Sequence, residues 1–385
     1  MRRLRDLALV QGGALDTERL KENFAQVAMH GDEVALFFYS DLFLRHPELR
    51  QMFPVAMAGQ RDHLVRAIAR IVSDVGHLDR LTPYLRELGR DHRKFGILSA
   101  HYQPLRASLL ATLAYFSGRN WTPQLAADWE EAYGLVSQIM IEAAAADEKV
   151  HPPFWEATVI SHEMRTLDTA VIRVATLDRL SYLPGQSVAI ESELRPRIWR
   201  YYSIANAPRE DATLDFHVRV IGGGELSMAL TRRLAVGARL RLGPPVGTLT
   251  LDTASGRDVL LVAGSTGLAP LKAIVMQIAR LADPPDVRLY LGARRIEGLY
   301  DLPDLEKLAA QAPCLTVTPC VSNDPDYQGE CGPLPDVVAR SGSWTGRDAY
   351  LAGPTPMVEG TAARLTAQGV PGEQIHVEDF GWSEP

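Results

Sequence analysis

The sequence predicts a multi-domain protein: an all-α domain over residues 1–150, an antiparallel β-barrel over 151–254 and an α/β domain with a parallel sheet over 255–385. Length is the first observation behind this. At 385 residues the chain exceeds what one hydrophobic core organises and suits domains of about 100–150 residues. Periodicity is the second, because the spacing of apolar residues changes character near 150 and again near 255. Composition is the third: 46% hydrophobic and 23% charged is the balance of a folded chain.

The helical stretch comes first. "VALFFYSDLFLRHPELRQMF" and "HLVRAIARIVSDV" repeat apolar residues at three and four, and "WEEAYGLVSQIMIEAAAA" is long and alanine-rich. At "KVHPPFW" prolines end the helix and short β-rich pieces follow: "FWEATVISHEM", "TAVIRVAT", "QSVAIES", "WRYYSIA" and "DFHVRVI". Such a run of short strands fits a small barrel or sandwich. From Asp258 strands alternate with helices: "DVLLVAG" before "PLKAIVMQIARLA", "VRLYLGAR" before "LPDLEKLAAQ", then "CLTVTPCVS", "AYLAGP" before a helix to about Gln368, and "IHVEDF". Alternation of this kind builds a parallel sheet covered on both faces.

Charge and cysteine content exclude several classes. A net charge of −7 with no basic block leaves no footprint for nucleic acid, so small molecules are the expected partners. The opening "MRRLRDLALVQGG" has arginines but no apolar run approaching the ~20 residues of a membrane span, and the expectation is a cytoplasmic protein. The cysteines Cys314, Cys320 and Cys331 form no C-x-x-C, which argues against a disulfide framework and a four-cysteine iron–sulfur cluster. They are expected as plain thiols.

Several turns carry chemistry. "VAGSTGLAP" follows a strand and opens a helix with Pro270 in its first turn, so backbone amides near Gly264 and Gly267 aim at an anion, with Ser265 and Thr266 adding hydroxyls. Alone, it fits an ordinary strand–helix turn equally well. "LAGPTPM" (351–357) supplies a second glycine turn at the carboxyl edge of the same sheet, and two such turns favour a nucleotide. "RYYSIANAP" places Arg200 and Tyr202 on one strand face and Ser203 on the other: a cation for phosphate, an aromatic platform for a flat ring, and a hydroxyl. "VIGGGELS" is another glycine turn entering a short helix.

"PGQ" at 184–186, R-x-Y-S at 200–203, G-G-x-x-S at 223–227, "GSTGLAP" and "GPTPM" fall in the order of the ferredoxin reductase-like flavoproteins, and residues 152–385 resemble that family. The resemblance implies an FAD-binding barrel followed by a nicotinamide-binding domain. Arg200 and Ser227, with Gly223 and Gly224, would hold the FAD phosphates, while Tyr202 and Ser203 line the isoalloxazine. Gly264, Thr266 and Gly267, with Gly353 and Pro354, would meet the nicotinamide nucleotide, and Phe380 in "VEDFGW" matches an aromatic that covers the flavin. Where many members carry Cys-Gly-Pro, this chain has Ala352-Gly353-Pro354. Arg294 and Arg295 in "GARRIEGLYDL" would suit a 2′-phosphate but also occur in NADH-using relatives; NADH is the expected donor over NADPH.

A reductase needs an acceptor, and the helical domain is the candidate. In "LGRDHRKFG", His92 shares a helical stripe with Leu81, Leu85, Leu88 and Phe95, while Arg90, Asp91, Arg93 and Lys94 are expected to face away as a solvated flank. A histidine on an apolar stripe is more often a core residue. Residues 15–148, however, resemble the globin domain of flavohaemoglobins, which is fused to the same reductase type in the same order. The resemblance puts Tyr39 at the distal tyrosine, Phe53 at the phenylalanine packed on haem, and Gln60 and Leu64 at distal positions one turn apart. It makes His92 the proximal ligand of haem b iron and Tyr102 its buttress. A glutamate usual on the last globin helix falls at Ala144, with Glu142 about 200° around the helix from it, and the residue before His92 is Asp91 rather than lysine. These departures fit a divergent, actinobacterial-type branch.

The implied function is oxidation of nitric oxide to nitrate with dioxygen at the haem, at the expense of NAD(P)H. A flavohaem oxidoreductase with another electron donor or acceptor, and a haem-based oxygen or redox sensor, are the alternatives. Oligomeric state is not fixed by the sequence.

Overall fold

The structure, a computed structural model, describes residues 15–378. The chain divides into two compact units at Phe154 and Trp155.

In the first unit, α1 (Thr17–Ala28) is capped by Asp16, whose carboxylate accepts from the Arg19 amide at 3.0 Å. It is followed by α2 (Asp32–Arg45), a 3₁₀ turn (Pro47–Met52), α3 (Ala58–Asp74), α4 (Leu78–His92), α5 (Tyr102–Ser117) and α6 (Pro123–Asp147). Thr122 caps α6 through the Leu125 amide, and Pro123 occupies the first helical position, where its missing N–H costs nothing. Leu20, Phe24, Val27, Val72, Leu113 and Trp129 make one buried core across these helices. Each fully buried leucine there contributes about 1.5–3 kcal/mol. The helix bearing His92 lies hard against α6: a β-carbon on Gly89 would stand 2.4 Å from the carbonyl oxygen of Met140.

The second unit holds two six-stranded sheets. The first comprises β1 (Trp155–Met164), β2 (Thr169–Thr176), β3 (Ser187–Ser192), β4 (Arg195–Ser203), β5 (Thr213–Arg219) and β6 (Arg239–Leu242), in the order β4-β3-β6-β1-β2-β5. Every pairing is antiparallel, and a bridge between Ile204 and Phe216 joins the two end strands into a barrel. Trp155, Ala157 and Val159 alternate inward along β1. A short helix, α7 (Glu225–Arg232), lies between β5 and β6.

The second sheet runs β10 (Glu330–Cys331), β9 (Leu315–Val321), β8 (Val287–Ala293), β7 (Asp258–Gly264), β11 (Arg347–Ala352) and β12 (Ile375–Val377), all parallel. Its helices are α8 (Leu268–Ile278), α9 (Leu302–Gln311), α10 (Leu334–Arg340) and α11 (Thr355–Ala367). Central β7 is buried on both faces: Leu261 and Ala263 pack with Leu271 and Ile274 of α8, while Leu260 and Val262 pack with Val337 of α10 and Leu365 of α11. The strand order reverses at β7, which puts the loops after β7 and β11 side by side at the crevice where open α/β sheets take ligands. Among the described residues no helix is long and apolar enough to cross a membrane.

Candidate functional site

The first unit brings Tyr39, Phe53 and Leu64 into one cluster, with the backbone of Gln60 at its edge. Tyr39, buried on α2, packs edge-on against Phe53 with ring centroids 5.4 Å apart, and Leu64 of α3 joins the same cluster with Phe43 and Leu105. The Tyr39 hydroxyl meets the backbone carbonyl of Gln60 at 3.5 Å, long for an O–H···O bond, so this hydrogen bond is weak and the hydroxyl is free to donate elsewhere. Burial raises the phenol to about 12, which keeps that proton in place.

His92 ends α4. Its Nδ1 lies 2.7 Å from the carbonyl of Leu88, one turn back, which fixes the ring and leaves Nε2 to face a ligand. Burial lowers the imidazole pKa, so the neutral form that binds iron is favoured. A fixed neutral imidazole, an apolar aromatic cluster and a protonated distal phenol are a donor set that fits haem. Tyr102 is tied by its backbone: its carbonyl accepts from the Tyr133 hydroxyl at 2.7 Å, and burial raises its own phenol to about 12. Glu142 is exposed and accepts from Gln138 at 2.9 Å, as its phase relative to Ala144 requires.

The charged neighbours of His92 are a correction. Asp91 and Lys94 do not face solvent; they are buried and paired at 2.5 Å, with side chains 4% and 1% exposed. Arg93 is also enclosed, pairing with Asp147 of α6, and Arg90 is the exposed one. The close packing of α4 on α6 leaves this flank no water, and opposite charges one turn apart satisfy each other instead.

In the second unit, β4 presents Arg200, exposed with its guanidinium on the Trp199 carbonyl, beside half-buried Tyr202, whose phenol pKa burial raises. Ser203 turns the other way. Its hydroxyl lies 3.1 Å from Ser187 and donates to Glu378 at 2.5 Å. Glu378, just after β12, is pushed up to about 7 by burial, with the serine hydroxyls opposing. Neither Ser187 nor Glu378 was legible beforehand; the only signal was the antiparallel register that sets Ser187 opposite Ser203. Gly223 and Gly224 lead into α7, and the Ser227 hydroxyl sits on the Gly224 carbonyl at 3.1 Å. An exposed guanidinium, a glycine turn with a hydroxyl and a half-buried aromatic suit the phosphates and flat ring of FAD. Phe380 lies outside the described residues.

After β7, residues Ser265–Gly267 form a 3₁₀ turn into α8, with Ser265 at φ 54°. Here Gly264 lies directly against Gly353 and Pro354, and Gly267 against Ala352 and Gly353, with Thr266 in the same turn. The glycines have a structural reason beyond ligand approach: a β-carbon on Gly267 would stand 2.3 Å from the Ala352 carbonyl, and one on Gly353 would stand 2.8 Å from the Gly264 carbonyl. The two turns interlock, and their amides suit a pyrophosphate. Arg294 and Arg295 are exposed after β8, and the Asp324 carboxylate accepts from the neighbouring Ile296 amide at 3.4 Å. Among the described residues no His, Cys, Asp and Glu cluster could hold a bare metal ion, and the cysteines are free thiols.

Comparison with known proteins agrees with this arrangement. The Globin family matches residues 36–140, the Oxidoreductase FAD-binding domain 153–251, and the Oxidoreductase NAD-binding domain 261–363. A Flavohemoprotein of Bordetella parapertussis is 28% identical, covering 91% of this chain and 94% of its own. The naphthalene 1,2-dioxygenase system ferredoxin–NAD(P)+ reductase component of Pseudomonas putida is 32% identical over 64% of this chain and 75% of its own. The crystal structure of a flavohemoglobin from Malassezia yamatoensis shares the fold, with a TM-score of 0.79 at 17% identity over 96% of this chain and 99% of that one. With globin, FAD-binding and NAD-binding oxidoreductase domains in that order in one polypeptide, the chain belongs to the flavohaemoglobin family.

Proposed function

We propose that the chain is an NAD(P)H-dependent nitric oxide dioxygenase, in which electrons pass from NAD(P)H by way of FAD to haem and nitric oxide is oxidised to nitrate with dioxygen. The observation that carries this reading is the presence, in one helical unit, of a fixed neutral imidazole at His92 and of a buried, protonated phenol at Tyr39 whose own hydrogen bond is weak. When bound, FAD supplies the conversion of a hydride into single electrons and haem supplies the centre that takes dioxygen. Tyr39 donates a hydrogen bond on the distal side, and Phe53 and Leu64 exclude water there. On the reductase side, Ser203 orients the flavin edge while Glu378, poised at about 7, holds or releases a proton at its carboxylate.

We further infer NADH as the preferred donor. The Asp324 carboxylate, which accepts from the Ile296 amide next to Arg294 and Arg295, offsets part of their attraction for an added 2′-phosphate by like-charge repulsion.

A second reading is that the flavin serves another acceptor. It is favoured by the reductase half, which is 32% identical to a ferredoxin–NAD(P)+ reductase component while the whole chain is 28% identical to a flavohemoprotein. Anaerobic addition of NADH or NADPH to the holoprotein, followed by nitric oxide in air, separates the two. Bleaching of both flavin and ferric haem and then stoichiometric nitrate supports the dioxygenase; flavin bleaching with the haem left ferric sinks it in favour of the second reading.

A further inference from the structure

Side chains of β5 and of the β1–β2 turn reach from the barrel into the α/β part of the same unit. Arg165 donates to Asp304 in the first turn of α9 at 2.9 Å, His217 Nδ1 meets the Tyr300 hydroxyl at 2.8 Å, and Arg219 donates to the Ser265 hydroxyl at 2.9 Å. His217 and Arg219 are two apart on β5 and so share a face.

The His217–Tyr300 contact is the buried one. His217 is 4% exposed, its ring meets that of Tyr300 edge-on, and its Nε2 has no partner. Tyr300 leads directly into Asp301, wholly buried, which takes the Lys272 ammonium at 2.6 Å and leaves its other oxygen unpaired. Lys272 is on α8, the helix that opens from the Ser265–Gly267 turn. The Tyr300–Asp301 step is thus gripped by the barrel on one side and by the helix of the nucleotide turn on the other. Arg219 grips the same turn a second time. Packing alone does not call for such residues, since two aromatic hydrocarbons would fill the space without orphaned polar atoms. Polar groups retained at that cost call for a reason beyond packing.

We propose that His217 and Tyr300 are positioning residues for hydride transfer: their hydrogen bond fixes the nicotinamide-nucleotide turn in register against the barrel that carries Tyr202 and Ser203. This rests on the reading that NAD(P)H reduces FAD. A hydride must pass between atoms about 3–3.5 Å apart, and a misplacement near 1 Å costs on the order of 100-fold. The tie is suited to constancy. Burial, with Lys272 and Arg165 adding repulsion and Asp215 and Asp304 opposing it, holds the imidazole at about 3, so it stays neutral over the working range.

The test is anaerobic stopped-flow reduction of the flavin by NADH in full-length holoprotein, comparing wild type with Tyr300→Phe, His217→Phe, the double variant and His217→Gln. The expected result is a limiting rate at saturating NADH about tenfold lower in each Phe variant, with half-saturation changed by less than about twofold. The double variant is no slower than the worse single, and His217→Gln, which retains a hydrogen-bonding side chain, recovers part of the rate. FAD content, the Soret band and chemical reduction by dithionite stay as in wild type. An unchanged limiting rate, a loss confined to half-saturation, or release of FAD from Tyr300→Phe overturns the proposal. Wild-type flavin that neither NADH nor NADPH reduces removes the reading beneath it; normal wild-type reduction with unaffected variants removes this proposal alone.

Discussion

At the scale of single residues, His92 and its neighbours divide what the sequence carries from what only packing reveals. The helical phase of Leu85, Leu88 and His92 was legible because an apolar stripe has a fixed period. The burial of Asp91 and Lys94 was not, because periodicity cannot tell a solvated charge from one paired inside a helix–helix contact. Two outcomes follow from this geometry. His92→Ala is expected to abolish stable haem loading while FAD remains bound, read as loss of the Soret band with the flavin absorbance intact; full haem occupancy would show the ligand to be another residue. Lys94→Met leaves the Asp91 carboxylate buried without its ammonium partner and is expected to cost about 3–5 kcal/mol in denaturant unfolding of the helical unit. A loss under about 1 kcal/mol would mean that water reaches Asp91 after all.

Among the elements, the turns after β7 and β11 show a similar limit. Their glycines were readable as phosphate-binding turns, and the alternation of strand and helix placed both at one sheet edge. That the turns are packed on each other required the parallel register of β7 with β11, which pairs Ala263 with Ala352. Gly267→Ala is therefore expected to act through the protein before any ligand arrives: its β-carbon meets the Ala352 carbonyl, and the forced shift costs about 1–3 kcal/mol and weakens NADH binding. Thermal unfolding with and without NADH checks this; wild-type stability with weak binding would assign the glycine to ligand approach alone. β5 was legible as a strand, but its place at the end of the barrel sheet, against the α/β part, was not, since sequence order says nothing of strand order.

For the whole molecule, the order of an all-α, an antiparallel and a parallel-sheet part was written in periodicity, whereas the division into two compact units was not. The barrel and the α/β part cohere as one unit, and the helical part stands as another. Heating the holoprotein should accordingly give two transitions, one followed by the Soret band and one by released flavin fluorescence; a single coincident transition would show the units to be thermodynamically coupled. Within the second unit, Ser187 and Ser203 belong to the barrel and Glu378 directly follows the last strand of the other sheet, so their contact spans the two parts. Glu378 holds its proton up to about 7 there, against an ordinary value of 4.5. Between those limits the joined form carries a proton that the separated form surrenders, so the contact is strongest at acid pH, weakens as pH rises to about 7 and is constant above it. Parting of the two halves is thus an acidifying event: an indicator dye in weakly buffered solution at pH 6 should register a proton each time they come apart, and Glu378→Gln should silence it.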